Sequence, residues 1–388
     1  MAEDLQLGDY SGQTVRMSIA LAEQEAQVYQ SVVVAGLQEA TGGTIELVAI
    51  ESADVVRTLE AQVQSGNIQI DLLAQDNNSL APLVDRDLVE QLPEAEQILP
   101  AETIESIKEV LLFNDQYYFL PARPNVQITY YNSNRFTEYG VEPPTTWDDL
   151  MSVAQTIRDA AGVGQLSIQG EAGGAVGVTT TQFIWQAGGD PLMLNTPEAA
   201  QAFQFMKDLQ PFLTPQYPTA TFDTTNTYIL NESVVLAQNW PFGVNIIVDE
   251  GGKEEVLTYP GWEGPVGNVL VLGGDVFGIA KGTPNRAMAL DVAKFFMSRP
   301  VQEQLVAQNA WPSMRSDALG AVEDWQTPYF ETINEALTHV QPRPNVTYWP
   351  DVENILTNAF NDIVTGQAEV EPTLERYQGE IDTLSGGA

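Results

Sequence analysis

Tyr117 to Asn132 run Y-Y-F-L-P-A-R-P-N-V-Q-I-T-Y-Y-N. Strand-forming residues continue up to Pro121 and resume at Val126, with P-A-R-P between them. Proline fixes φ and biases the residue before it toward an extended backbone. The segment therefore reads as an extended crossing, not as a helix or a tight hairpin. A similar join stands at Asn268 to Ala280, N-V-L-V-L-G-G-D-V-F-G-I-A. Each join edges a region of different composition, so the chain is expected to pass from one lobe to another and return.

Size points the same way. At 388 residues the chain exceeds the usual reach of one hydrophobic core, and its 44% hydrophobic content is that of a globular protein. Lys plus Arg number 16 against 53 Asp plus Glu, a formal charge of −37. Such a field repels nucleic acid and anionic membranes, so neither is expected as a partner. The acids are spread along the whole chain and name no ligand; they read as an acidic, soluble surface suited to salt. There is no cysteine, which removes disulfides, thiolate metal sites and cysteine nucleophiles. The single histidine, His339, removes the commonest zinc arrangements and reads as a surface or capping residue. No apolar run reaches the roughly 18 residues of a membrane span. The start, M-A-E-D-L-Q, lacks a basic and apolar leader, so an exported protein is expected here without its signal segment.

Residues 1–13 are polar and expected to be loosely ordered. Strands are expected at 14–21, 44–50 and 68–74, alternating with helices at 23–41 and 54–65. That order predicts an α/β fold with a mostly parallel sheet covered by helices. Further strands are expected at 116–120, 126–131, 234–238 and 266–272. Thr146 reads as an N-cap with Asp149 at the third helical position, and Thr196-Pro197 as the start of another helix. Glycine-rich 162–178 reads as loop or strand edge, and 260–265 as a turn-dense loop exposing Trp262. The final third reads as helical.

No phosphate-binding loop is present, because Gly173-Gly174 and Gly273-Gly274-Asp275 lack the required spacing and lysine. One histidine cannot assemble a serine or zinc hydrolase of the usual kind. A paired-carboxylate glycosidase stays open, since only distances between carboxylates establish one. No EF-hand spacing occurs, and no metal or cofactor is expected.

Aromatic residues beside helix breakers are more informative. Trp240, Trp262, Trp311 and Trp349 all lie next to proline or glycine, or close to one, and read either as cleft residues or as half-buried filler. An aromatic face stacks on the apolar face of a sugar while carboxylates, amides and Arg hold its hydroxyls. Asp76 and Asn77 follow a strand end, as do Glu23 and Gln24, and strand ends are where ligands meet an open α/β sheet. Glu23 and Gln24 read equally as a solvated helix start, and Asp76-Asn77-Asn78-Ser79 as a capping turn. Arg123, inside the first crossing, either touches ligand or braces a hinge; Arg315 and Arg343 carry the same two readings.

Six segments carry a resemblance. They are Y-Y-F-L-P with I-T-Y-Y-N-S-N-R-F at 117–136, P-P-T-T-W-D-D-L at 143–150 and A-Q-N-W-P-F-G at 237–243. With them go V-L-G-G-D-V-F-G-I-A-K-G-T at 271–283, A-K-F-F-M-S-R-P-V-Q-E-Q-L at 293–305 and R-P-N-V-T-Y-W-P-D-V at 343–352. In order and spacing, over residues 14–380, the chain resembles the extracytoplasmic solute-binding proteins of carbohydrate-importing ABC transporters, the maltose-binding-protein-like class.

The resemblance implies a two-lobe fold with a ligand cleft between lobes. It places residues 1–122 and 275–312 in an N-terminal lobe, 126–271 and 316–388 in a C-terminal lobe, and hinge crossings at 121–126, 271–275 and 312–316. It implies no catalysis, closure on ligand, and delivery of a neutral carbohydrate to ABC permease subunits. A disaccharide or glycosylated compatible solute is the expected ligand, and the protein is expected to be an extracytoplasmic monomer, periplasmic or lipid-anchored. Trp240 falls where the family stacks a sugar. The family's aromatic after G-G is Asp275 here, which implies a smaller or more hydroxyl-rich ligand face, with Trp262 as a replacement platform. Arg343 falls where relatives carry an arginine able to approach the cleft. A glycoside hydrolase, or a binding protein for an amino acid or polyamine, remains the alternative.

Overall fold

Pro121 and Pro124 do not interrupt a strand; they lie inside one. A computed structural model of the protein describes residues 5–21, 23–50, 52–318 and 322–386. The chain forms two compact units: Met1–Asn125 with Leu272–Thr327 and Asn345–Thr347, and Val126–Val271 with Pro328–Pro344 and Tyr348–Ala388. Residues 312–316 lie inside the first unit, which continues to Thr327. Apart from three short strands at Leu112–Phe113, Gln116–Tyr117 and Val340–Pro342, the strands in chain order are β1 (Thr14–Ile19), β2 (Thr44–Ala49), β3 (Leu72–Asp76), β4 (Phe119–Asn125), β5 (Ile128–Asn132), β6 (Leu166–Ser167), β7 (Leu236–Asn239), β8 (Val256–Tyr259) and β9 (Leu270–Ile279).

In the first unit β1 pairs in parallel with β2 and with β3, the strand–helix–strand alternation legible in the sequence. Antiparallel β9 then pairs with β3 on one side and with β4 on the other. β4 occupies the sheet edge, and its register with β9 shifts between Asp275 and Val276. Edges and bulges are where a sheet tolerates residues without an N–H, so P-A-R-P continues the strand where the sequence predicted a gap. Gly274, at φ 97°, is required there: a Cβ would lie 2.0 Å from the Arg123 carbonyl oxygen. The third strand begins four residues later than expected and takes in Gln75 and Asp76.

Val15, Met17, Leu37, Leu72, Phe277, Phe296 and Trp311 share one buried core in this unit. The amino-terminal stretch is not loose where it is described. Gly8 N–H and the Tyr10 hydroxyl both donate to Asp291 Oδ2, at 2.8 and 2.7 Å, and Lys294 Nζ pairs with Oδ1 at 2.8 Å. Asp291 is buried, and these donors are what allow its charge to be so.

The second unit has a mixed sheet in the order β8–β5–β7–β6, antiparallel except for β6 with β7. The Trp147–Ala161 helix starts on the expected Thr146–Asp149 capping box. Part of the glycine-rich stretch is helical, since Gly174–Gln186 is a helix whose residues from Ala175 onward are all buried. Glycine is useful in it because a Cβ on Gly177 would press to 3.1 Å from a Glu353 carboxylate oxygen. The 260–265 loop does not expose its tryptophan; Trp262 is 2% exposed. Glu263 is paired into the start of the Trp147 helix through Thr145 O and Trp147 N, and Gln186 Nε2 donates to the Trp262 carbonyl, which turns the ring inward.

Candidate functional site

Each unit brings a set of the sequence-predicted residues together. In the first, the guanidinium of Arg123 on β4 reaches Glu25 Oε1 at 3.0 Å through Nη1 and Asp275 Oδ2 at 3.1 Å through Nη2. It also lies over the Trp311 ring, 4.3 Å from the centroid, and the Trp311 indole N–H donates to Glu25 Oε1 at 2.6 Å. Stacking on indole and pairing with carboxylates suit the planar, weakly hydrated guanidinium. The strands fix the geometry: Arg123 and Asp275 are register partners across β4 and β9, and Asp275 and Asp76 across β9 and β3.

Two carboxylates therefore hold one guanidinium, and a third, Asp76, lies beside Asp275 across the sheet. Burial pushes the Asp275 carboxyl up to about 6, with Asp76 and Glu25 adding to the rise and Arg123 opposing it. Burial opposes the Arg123 charge, yet Asp275 and Glu25 hold its pKa above the usual arginine value. Side-chain exposures of 15%, 15% and 17% for Arg123, Glu25 and Asp275 leave the group in limited contact with solvent.

Glu25 was not among the residues the sequence singled out. Its helical spacing was a usable signal, because Glu25 lies four residues before Tyr29, a core residue whose ring stands 6.3 Å from Trp311. The predicted neighbours Glu23 and Gln24 belong to the same helix, Glu23–Tyr29, but their side chains lie outside the described residues. Asp76 caps a short turn by accepting from Asn78 N–H, and the buried Asn77 amide donates to the Leu272 carbonyl at 3.2 Å.

In the second unit, Trp240 follows β7 directly and meets Phe222 edge-on, 5.7 Å between centroids at 76°. Val178, Trp185 and Val271 surround it, and 9% of the residue stays exposed. A row of amides runs beside it. Gln127 Nε2 donates to Gln169 Oε1, Gln169 Nε2 to Asn239 Oδ1, and Asn239 Nδ2 to both Asn226 Oδ1 and the Phe222 carbonyl, all within 3.0 Å. Tyr130 donates its hydroxyl proton to the Trp240 carbonyl at 2.9 Å. Neither Phe222 nor these amides carried a pattern that sequence reading could use, because they come from separate turns and strands.

The remaining predicted residues stand apart from both groups. Arg315 grips Asp317 with Nε and Nη2 at 2.8 and 3.0 Å and reaches Glu102 at 3.3 Å, which braces the chain after the 299–309 helix. Arg343 is buried 3.5 Å from Glu353. Trp349 is wholly buried at the start of the Trp349–Phe360 helix, and Trp262 is buried as described above. A cavity of 490 Å³ in the second unit is lined by Trp147, Gln201, Gln204, Phe205 and Asp208, and holds none of the predicted residues. Among the described residues no group of three or more His, Cys, Asp or Glu could hold a metal ion, and no helix is long and apolar enough to cross a membrane.

A family model described as bacterial extracellular solute-binding protein matches residues 33–330. An uncharacterized ABC transporter extracellular-binding protein of Pyrococcus horikoshii is 23% identical over 216 residues, 51% of this chain and 48% of that protein. The chain thus matches about half the length of this curated relative. Maltose-bound MalE3 of T. maritima superposes with a TM-score of 0.86 at 22% identity, over 96% of this chain and 100% of that one. UgpB of Mycobacterium tuberculosis, in complex with glycerophosphocholine, gives 0.84 at 15% identity, over 97% and 99%. These likenesses show the two-lobe α/β fold of periplasmic binding proteins.

Proposed function

The chain belongs to the bacterial extracellular solute-binding protein family, and we propose that it binds a neutral carbohydrate, a disaccharide or glycosylated compatible solute, without transforming it. The observation that carries this reading is Trp240 at the end of β7, set edge-on against Phe222 beside the row of hydrogen-bonded amides from Gln127 to Asn226. Arg123, Glu25 and Asp275 form a second polar group, in which Arg123 covers the Trp311 face. The fold by itself leaves the ligand open, since neighbours of similar fold hold maltose and glycerophosphocholine. Export, possession of a lipid anchor, a monomeric state, closure of the lobes on solute and delivery to an ABC permease are parts of the same proposal.

Glu25 and Asp275, both paired to Arg123, are the two carboxylates a glycosidase reading would turn to, and the raised Asp275 pKa suits a general acid. Against it, the Arg123 guanidinium bridges the two carboxylates, where a glycosidase places the scissile bond. A thermal-shift screen of mono-, di- and trisaccharides and glucosylglycerol, run beside amino acids and polyamines, tests the solute class. Stabilisation by carbohydrates is expected. Stabilisation by amino acids or polyamines alone would sink the carbohydrate reading.

A further inference from the structure

We propose that a groove on the second unit is a binding site of its own, for a small organic cation with an apolar body, an alkyl diamine being the simplest example. The inference stands apart from the carbohydrate reading, because neither Trp240, Phe222 nor the amide row lines this groove. It has a volume of 490 Å³ and opens between the first turn of the Trp147–Ala161 helix, one face of the Pro197–Leu209 helix and the 263–265 turn. Gln201, Gln204, Phe205 and Asp208 follow helical spacing, which puts all four on that one face.

Its floor is aromatic and fixed. The Phe205 ring stacks on Trp147, with 4.4 Å between centroids and 18° between planes, and Phe183 supports the two from 5.8 and 5.6 Å. The Trp147 indole N–H donates to Gln186 Oε1 at 2.9 Å, and the Glu263 backbone is tied to Thr145 and Trp147. Phe205 is only half-buried, so the floor keeps apolar surface open to the groove. Such a floor packs against methylenes, and an aromatic face also attracts a cation held near it.

The walls carry the charge. Asp148 on the first helix, Asp208 on the second and Glu263 on the turn are exposed and line the groove. Among the described residues none of these three carboxylates is in an ion pair. The single basic residue of each helix is engaged elsewhere. Arg158 lies over the Phe212 ring, 5.6 Å from its centroid, and Lys207 Nζ donates to the Gln367 and Ala368 carbonyls at 3.2 and 2.7 Å. Gln204 Nε2 donates to Asp208 Oδ1 at 2.8 Å and steadies that carboxylate. Carboxylates from three elements around an apolar floor select ammonium groups on an alkyl chain: each ammonium donates to them, and an anion is repelled.

Calorimetric titration near neutral pH and at low ionic strength, with putrescine and with its uncharged isostere butanediol, tests the site. It is run on the parent protein, on Asp208→Asn combined with Glu263→Gln, and on Trp240→Ala. Putrescine is expected to bind saturably and at least about tenfold more tightly than the diol. The double variant keeps the size of two exposed side chains and should lose about tenfold in putrescine affinity, while Trp240→Ala should lose none. Diol binding as tight as that of putrescine, no saturable putrescine binding, or an unchanged double variant would overturn the inference. Loss of putrescine binding in Trp240→Ala would overturn it too, by assigning the amine to the Trp240 group. Carbohydrate titration of the double variant should match the parent protein, so failure of this inference leaves the carbohydrate reading standing.

Discussion

Asp275 shows how a side chain can work against stability. Its carboxyl titrates near 6 in the fold against an ordinary value of 3.8. An acid whose folded pKa is raised contributes stability that is full below about 3.8 and lost as pH rises through about 6. The size of that loss is on the order of 3 kcal/mol. Urea unfolding should therefore show Asp275→Asn gaining on the parent protein between pH 4 and 7; parallel pH profiles for the two proteins would refute the account. Trp240→Ala is expected to weaken solute binding about tenfold or more and to lower stability by roughly 3 kcal/mol, with unfolding still cooperative. Calorimetric titration with unchanged affinity would remove Trp240 from the site.

At the scale of elements, the β4–β9 pair carries the argument. Arg123 and Asp275 meet because β9 passes close to β4, and Gly274 permits the approach. Gly274→Ala should destabilise the protein by about 2 kcal/mol or more, from a positive φ combined with a backbone clash, and should disturb the Arg123–Asp275 pair. A melting temperature equal to that of the parent would contradict this. Elements were legible wherever local chemistry decides them. The Thr146–Asp149 capping box and the Thr196-Pro197 helix start stand where their residues require. Pro121 and Pro124 misled because an edge strand forgives the missing N–H, and edge position is a tertiary fact. The 162–178 glycines misled because close helix packing, which Gly177 serves, looks like loop composition.

At the scale of the molecule, strand order and the ordered segments sufficed to read an α/β solute-binding fold, and the family match bears out the family. The site was harder to read. Arg123, Asp275 and Trp311, three residues the sequence points to, do assemble, yet Glu25, which links Arg123 to Trp311, carries no sequence signal beyond its spacing to Tyr29 that sets it above its neighbours Glu23 and Gln24. Trp262 and Trp349 show the reason for caution: a tryptophan beside proline or glycine is as readily folded inward as presented to a ligand. The central claim is binding without chemistry. Equilibrium titration with the saccharides that stabilise the protein, followed by chromatography of the recovered sugar, tests it most directly. The account predicts saturable one-to-one binding and recovery of intact sugar; recovery of cleaved sugar, or no saturable binding of any carbohydrate, would contradict it.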